Sequence, residues 1–345
     1  AQERRMTGDG RWEEEEEAGF ARRRTLRKRK SLDRQERRRE DLEAFYAAAA
    51  RCDKVLVFSG SGVSVASGMS TFTSRGGLYE RARKRFKVSD GMKLFSNSFH
   101  QRHPAKCKQF LAEIFLEAMH KKPNASHESL AELERKGRLL RHYTMNIDGL
   151  MGFTAGASAW TGAEGCPGKT VELHGNCRQV VCTSCGAVCP MTAARARAFT
   201  RGAEVRCPEC AQPTTRPKIM LYDDDEAELI TPDLVMDLME ADVAACDLIL
   251  WVGISFEQSA SLEYFRNIQR VIKDAGREAS VVQGVLNPDP DSAFNAISGA
   301  NNMDDFTVIA LESHCQPVLA KLASLYPPRE SIADTTTAAA ATDSR

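Results

Sequence analysis

Short apolar runs alternate with amphipathic stretches through the middle of this chain. Five of these runs have the length and composition of buried strands: Lys54–Ser59, Leu139–Thr144, Leu248–Val252, Ser280–Leu286 and Phe306–Ala310. Between the third and fourth runs, Leu262, Phe265, Ile268 and Ile272 recur at helical spacing, and Gly276 follows them as a helix stop. Strands that alternate with helices favour an α/β fold with a parallel sheet covered on both faces.

Both ends of the chain lack this pattern. Residues 1–40 carry 14 basic and 10 acidic side chains and almost nothing apolar, so we expect a charged tail that is disordered or loosely helical. Residues 327–345 are small and polar without periodicity, and we expect disorder there as well. The predicted folded body is therefore residues 41–326.

Composition narrows the class of protein. The 345 residues include 47 basic and 47 acidic side chains, and a net charge of zero argues against a uniformly basic nucleic-acid binder. The basic block Arg22–Lys30 is either a nuclear-localisation or nucleic-acid patch or part of a solvated helix. No apolar run approaches the roughly 18 residues of a membrane span, and the charged first 40 residues do not resemble a secretory signal.

The cysteines predict a metal site in a reducing compartment. Eleven cysteines form an odd set, and two CxxC pairs lie 21 residues apart. The four residues of these pairs are Cys182, Cys185, Cys207 and Cys210. Four thiolates at this spacing are typical of tetrahedral zinc and leave no open position, so the predicted ion is structural. Cys177 and Cys189 are alternative ligands, and a redox role for one pair is disfavoured by the matching second pair.

Polar or glycine-rich turns follow four of the predicted strands. In a parallel sheet such turns meet at the carboxyl edge, where these folds bind ligands. The residues with suitable chemistry are Gly60, Ser61, Gly62, Ser64, Asn146, Asp148, Gly253, Ser255 and Asn287. The glycine-rich turn could cradle a phosphate, and Asn146 and Asp148 could hold ribose hydroxyls or a carboxamide. Each turn also has an ordinary interpretation as a tight turn or an Asx turn, but their coincidence favours a nucleotide site.

His174 is a candidate general base. It precedes a glycine in the segment Glu172–Gly175. An imidazole with an unperturbed pKa of about 6.5 can accept a proton near neutral pH. The alternative is a purely structural histidine, since the chain has seven.

Taken in order, these motifs resemble the sirtuins, a family of NAD-dependent protein-lysine deacylases. The matching segments are GSGVSVASG at 60–68, TMNIDGL at 144–150, ELHGN at 172–176, the two CxxC pairs, RPKIMLY at 216–222, GIS at 253–255 and NPD at 287–289. The resemblance covers about Asp53 to Leu322. It implies a large Rossmann-like domain, and a smaller lobe made of a zinc-ribbon module at 177–215 and a helical insertion at 79–137.

The resemblance also implies roles for individual residues. NAD would lie against Gly60, Ser61, Gly62, Ser64, Thr71, Phe72, Tyr79, Met145, Asn146, Asp148, Gly253, Ser255, Asn287 and Cys315. A substrate peptide would pair as an added strand with Ile219, Met220, Leu221 and Tyr222. His174 would take a proton from a ribose hydroxyl, and Asn146 would assist at the nicotinamide end. The products would be nicotinamide, O-acyl-ADP-ribose and free lysine.

The chain departs from the family pattern at the chemistry itself. Where the family has Pro-Asp-Phe-Arg, this chain has Ser70-Thr71-Phe72-Thr73, and Met145 replaces a glutamine. Loss of one or two charge-assisted contacts costs about 1.5–3 kcal/mol each, so activity is expected to be weakened. The alternatives are a catalytically weakened module that binds NAD or ADP-ribose and acyl-lysine, and a mono-ADP-ribosyltransferase.

Partner and compartment follow from the same resemblance. We expect an acylated protein or peptide as substrate, a histone being one candidate, with no membrane and with nucleic-acid contacts only through the basic tail. Free thiols and zinc argue against secretion. The Arg22–Lys30 block slightly favours the nucleus over the cytoplasm.

Overall fold

The structure, a computed structural model, describes residues 32–298 and 308–329. The described residues divide into two units, with the division between Phe45 and Tyr46. The described part of the first unit is helical, and this helix, α1, covers residues 32–49. The tail expected at 1–40 is thus helical from residue 32, whereas the Arg22–Lys30 block and residues 330–345 lie outside the described residues.

A six-stranded parallel sheet forms the centre of the second unit, as the alternating pattern predicted. Its strands are β1 (Val55–Ser59), β2 (Leu139–Thr144), β3 (Thr170–Glu172), β7 (Leu248–Val252), β8 (Val282–Asn287) and β9 (Val308–Glu312). The spatial order is β3-β2-β1-β7-β8-β9, and every pairing is parallel. The order reverses direction at β1, whose carboxyl end is therefore the topological switch point.

Helices cover both faces of this sheet, because every residue of β1 and β7 is buried and successive residues of a strand point to opposite faces. The helices of the large domain are α5 (Ala125–Arg135), α7 (Leu234–Ala245), α8 (Ser259–Asp274), α9 (Pro290–Ser298) and α10 (Cys315–Leu325). Residues of α7, α8 and α9 share one core with Phe58, Tyr143 and Trp251. The Phe58 ring stacks on both of these aromatic rings, with centroids 5.2 and 4.5 Å apart.

A second module carries the metal-ligand candidates. It contains a three-stranded antiparallel sheet in the order β5-β4-β6, formed by Val188–Pro190, Gly175–Cys182 and Thr215–Ile219. Its helices are α2 (Leu78–Phe86), α3 (Asn97–Arg102), α4 (Pro104–Ala118) and α6 (Ala193–Thr200). These helices and strands share one apolar core, in which α4 contacts α6 and β4.

The helical insertion expected at 79–137 therefore includes two kinds of helix. Helices α2, α3 and α4 pack in the small module. Helix α5, although inside the same span, packs against β2 and α10 of the large domain. Among the described residues, no helix is both long and apolar enough to cross a bilayer.

Candidate functional site

The glycine-rich turn after β1 lies directly against the turn after β7. The Gly60 and Gly62 N–H groups donate to the carbonyl oxygens of Val252 and Gly253, at 2.9 and 3.0 Å. A Cβ atom at Gly62 would lie 2.6 Å from Gly253 Cα, so only glycine allows this approach. These two amides are occupied by the protein itself, and their main effect is to bring two strand ends together at the switch point.

Ser64 is buried beneath this turn and links it to the turn after β2. Its hydroxyl donates to Asp148 Oδ2 at 2.7 Å and accepts from Asn146 Nδ2 at 3.2 Å. Asp148 Oδ1 also accepts the Leu150 N–H at 2.8 Å. Ser64 is fully buried, so it positions Asn146 and Asp148 from behind.

Two cavities meet at this edge of the sheet. The first, beside the glycine turn, is lined by Gly60, Ser61, Phe72, Thr73, Met145, Asn146, Gly253, Ile254, Ser255, Gln258 and Ser261. The second, called here the substrate cavity, has a volume of about 680 Å³ and lies between the segment after β6 and helix α8. Phe72, Met145 and Gln258 line both cavities. A ligand in the first cavity therefore reaches the second at these three side chains.

His174 lies on the wall of the substrate cavity. Burial lowers its pKa to about 4, against the opposing effect of a hydrogen bond with the Met145 backbone. Its imidazole is therefore neutral at pH 7 and able to accept a proton. Thr231 Oγ1 donates to the adjacent Leu173 carbonyl at 3.0 Å, which fixes the segment that carries His174.

A small polar chamber lies behind Asn146. It is lined by Ser59, Val63, His127, His142, Thr144, Asn146, Asp148, Gly149, Leu150, Met151 and Glu172. Burial lowers the pKa of His142 to about 3 and lowers that of His127, and it raises the pKa of Glu172 to about 7. Among the described residues, Asn146 Oδ1 and His142 Nδ1 are buried polar atoms without a hydrogen-bond partner.

The proposed peptide segment, Ile219–Tyr222, has most of its donors already engaged. The N–H groups of Met220, Leu221 and Tyr222 donate to the His174 carbonyl, the Asp224 carboxylate and the Phe95 carbonyl, at 3.0, 3.1 and 2.7 Å. A peptide that pairs with this segment must therefore supply the N–H groups itself.

The divergent segment leads into an aromatic cluster. The rings of Phe72, Tyr79 and Phe95 have centroids 5.6 Å apart in each pair. Tyr79 Oη accepts from Gln258 Nε2 at 3.0 Å and contacts Tyr222 Oη at 3.1 Å. Thr71 is held in its loop, where its carbonyl accepts the Leu78 N–H at 2.8 Å.

The four predicted zinc ligands converge in the small module. Their sulfur atoms all lie within 4.8 Å of one another, with Cys182–Cys210 at 3.6 Å and Cys185–Cys207 at 3.7 Å. Four sulfurs about 2.3 Å from one tetrahedral zinc ion lie about 3.8 Å apart, so the donor set fits a structural zinc. Among the described residues, Cys177 and Cys189 are not part of this cluster.

Most of the residues predicted to contact NAD or the peptide reach the two cavities or the chamber, but five do not. Gly62 and Ser64 act from behind the wall, and Thr71 lies in the loop beside it. Asn287 Nδ2 donates to the Ile254 carbonyl at 3.0 Å and so holds the turn after β7. Cys315 is buried at the start of α10.

Sequence reasoning missed several residues of the site. These are His127, His142, Glu172, Met236, Gln258 and Tyr264. His127 lies in the first turn of α5, where its ring accepts the Asn124 N–H at 3.2 Å in a capping box, so in the sequence it resembles a capping residue. His142 lies inside an apolar strand, and the only available signal was a polar residue at a buried position.

Comparison with known proteins identifies the family. Residues 60–259 match the Sir2 family. The chain is 30% identical over 244 residues to an NAD-dependent protein deacetylase of Streptomyces coelicolor, covering 70% of this chain and 91% of that protein. It is 28% identical over 226 residues to the NAD-dependent histone deacetylase sirtuin-1 of Drosophila melanogaster, covering 60% of this chain and 26% of that one, so it spans about a quarter of the fly protein.

A solved structure agrees with this result at the level of the fold. A Sir2 homologue in complex with NAD superposes with a TM-score of 0.61 at 21% identity, covering 82% of this chain and 92% of that one. The resemblance found in the motifs is thereby confirmed, and the chain belongs to the Sir2 family.

Proposed function

We propose that this chain is an NAD-dependent protein-lysine deacylase with weakened nicotinamide recognition. One observation carries the proposal: the neutral His174 faces the cavity beside Ile219–Tyr222, and that cavity meets the glycine-turn cavity at Phe72, Met145 and Gln258. A nucleotide on one side and an acyl-lysine on the other would meet within reach of one general base.

Bound NAD would supply a ribose carbon that exchanges its bond to nicotinamide for a bond to the acyl oxygen. Met145 and Phe72 would separate the two reactants from solvent, and Asn146 and Asp148 would orient the nicotinamide end. His174 would accept the proton of a ribose hydroxyl as that oxygen bonds to the acyl carbon. One water is consumed as the amide C–N bond breaks, and lysine, nicotinamide and O-acyl-ADP-ribose leave.

The comparisons support this reading through the names of the relatives. The Streptomyces protein is a protein deacetylase, and a relative from Pseudomonas aeruginosa, 34% identical over 143 residues, is a protein deacylase. We extend the proposal to an acylated protein as substrate, with a histone as one candidate, and to a nuclear or cytoplasmic location with the nucleus slightly favoured. The histone substrate and the preference for the nucleus rest on the basic block Arg22–Lys30.

Single-turnover release of nicotinamide tests the proposal. With an acyl-lysine peptide we expect release together with O-acyl-ADP-ribose, and His174→Ala should abolish formation of O-acyl-ADP-ribose while NAD still binds. His120→Ala, at an exposed histidine outside the cavities, is the matched control. Release of nicotinamide with transfer of ADP-ribose to the peptide would instead identify a mono-ADP-ribosyltransferase.

A second candidate is a binding module without turnover. It is favoured by Thr71 and Thr73, which carry no charge where the family pattern has Asp and Arg. Tight NAD binding without nicotinamide release on any acyl peptide would establish it. His174→Ala would then have no effect on ligand affinity.

A further inference from the structure

The substrate cavity is large for the smallest acyl group. Its volume of about 680 Å³ falls in the range of about 300–1,000 Å³ typical of sites that enclose drug-sized ligands. An acetyl group has two carbon atoms. The chemistry of the residues that line the cavity therefore determines which larger acyl groups it accepts.

The wall from the small module is apolar. The aromatic cluster of Phe72, Tyr79 and Phe95 forms one part of it, and Ile219 and Leu221 form another. Leu221 is 3% exposed and Ile219 is 1% exposed, so the wall is continuous with the core of the module. Such a surface favours hydrocarbon over water.

Three methionines from three separate segments also line the cavity. Met145 follows β2, Met220 follows β6 and Met236 lies in α7. Methionine side chains have three rotatable bonds and a polarisable sulfur, and they adapt to guests of different length. Met145 also stands where the family pattern has glutamine, so this chain is less polar at the inner end.

The charged lining residues lie on the exposed side of α8. Glu263, Arg266 and Arg270 are exposed and occur at helical spacing along that helix. Arg270 is already paired with Glu240 and Asp274, each at 3.2 Å. His174 is neutral, so an acidic acyl end carried into the cavity would lose its hydration without gaining a buried cation.

From this lining we propose that the site prefers neutral aliphatic acyl groups longer than acetyl, and that it disfavours acidic acyl groups such as succinyl. The inference rests on the proposed deacylase function. One peptide sequence carrying acetyl, octanoyl, myristoyl or succinyl lysine tests it through kcat/KM for nicotinamide release. Because one methylene in an apolar pocket is worth roughly tenfold or more, octanoyl should exceed acetyl by at least about tenfold, with succinyl below acetyl.

The outcomes separate the two proposals. Faster turnover of acetyl than of octanoyl, or a preference for succinyl, would overturn the acyl preference and leave the deacylase intact. If no peptide is turned over, the deacylase is wrong, and calorimetric affinities for the same peptides decide the acyl preference. Octanoyl peptide must then bind at least tenfold more tightly than acetyl peptide.

Variants test the wall directly. Met236→Trp should fill the cavity and lower the octanoyl-to-acetyl ratio of kcat/KM by at least tenfold. Leu234→Trp, at an exposed position of the same helix, is the matched control. If Met236→Trp fails to fold, Ala260→Leu adds bulk at a partly exposed position of α8 that also lines the cavity. An unchanged ratio in a folded variant of the wall would overturn the assignment.

Discussion

Ser64 donates a hydrogen bond to Asp148 across 84 positions of sequence, with Oγ and Oδ2 2.7 Å apart in a fully buried contact. The same hydroxyl accepts from Asn146, so one serine fixes both polar residues of the turn after β2. A serine in a glycine-rich turn was expected to touch the cofactor. Here its hydroxyl is used inside the protein.

Replacement of Ser64 should therefore act on stability as well as on ligand binding. Ser64→Ala leaves a buried carboxylate with one donor fewer, and we expect a loss of about 1–3 kcal/mol in the free energy of unfolding. NAD affinity should fall because Asn146 and Asp148 lose their anchor. Ser61→Ala, on the cavity wall, should leave stability unchanged in urea titrations; equal losses in both variants would contradict the role of Ser64.

The close approach of Gly62 and Gly253 predicts strict intolerance of a side chain. Gly62→Ala would place a Cβ 2.6 Å from Gly253 Cα, where the neighbouring atoms are backbone. We expect destabilisation of about 1–3 kcal/mol, as for other overpacked sites. Gly152→Ala has no atom within 4 Å of its Cβ and is the control in thermal unfolding. If both variants unfold at the same temperature, the contact does not constrain the turn.

His142 should make the fold sensitive to acid. Its pKa is about 3 in the folded chain and about 6.5 in the unfolded chain. Below pH 6.5 the unfolded state therefore binds a proton that the folded state does not bind. Stability is therefore lost as the pH falls, by about 1.4 kcal/mol per pH unit. Relative to the wild type, His142→Asn should gain about 2 kcal/mol between pH 7 and pH 5.

Urea unfolding at both pH values measures this difference. The contribution of Glu172 to the pH dependence of stability has the opposite sign, because its raised pKa favours the folded state at low pH. This contribution is common to wild type and variant. His120→Asn, at an exposed histidine, is the control. An equal pH dependence of wild type and His142→Asn would show that His142 is protonated in the folded state.

Zinc removal should affect the peptide side of the site before the nucleotide side. Strand β6 follows the second CxxC pair and leads into Ile219–Tyr222, whereas the glycine turn belongs to the large sheet. Cys207→Ser should lower the zinc content, measured by atomic absorption, from one ion per chain, and should weaken peptide binding more than NAD binding. Cys189→Ser should retain the ion, and loss of zinc in that variant as well would argue for a different ligand set.

Restoring the family residues should strengthen nicotinamide recognition. Thr71→Asp together with Thr73→Arg returns two charge-assisted contacts, each worth about tenfold or more in rate. The rate of single-turnover nicotinamide release should rise accordingly. The same rate measured for Arg75→Ala in the wild type shows whether the Arg75 side chain already replaces the arginine that is missing at position 73. A double variant no faster than the wild type would mean that Thr71 and Thr73 do not limit the reaction.

The sequence alone determined the parallel sheet, the zinc ligands and the family. Strand periodicity, the strand-end turns and CxxC spacing are local properties, because each pattern involves residues that are close together in the sequence. The five predicted runs lie within about two residues of β1, β2, β7, β8 and β9 where those residues are described, whereas β3 and the three strands of the small module were not predicted. The predicted helical insertion at 79–137 also contains α5, whose packing against α10 joins residues far apart in sequence.

Only the tertiary structure decided how the polar groups are used. His127, His142 and Glu172 come from three separate elements, and the shifts of their pKa values arise from burial that no local pattern encodes. The same holds for Gln258, which meets Tyr79 across 179 positions of sequence. The type of a side chain sets its chemistry, but its charge state and its partners depend on long-range packing. For that reason, only the tertiary structure distinguishes supporting residues such as Ser64 and Asn287 from the residues that line the cavities.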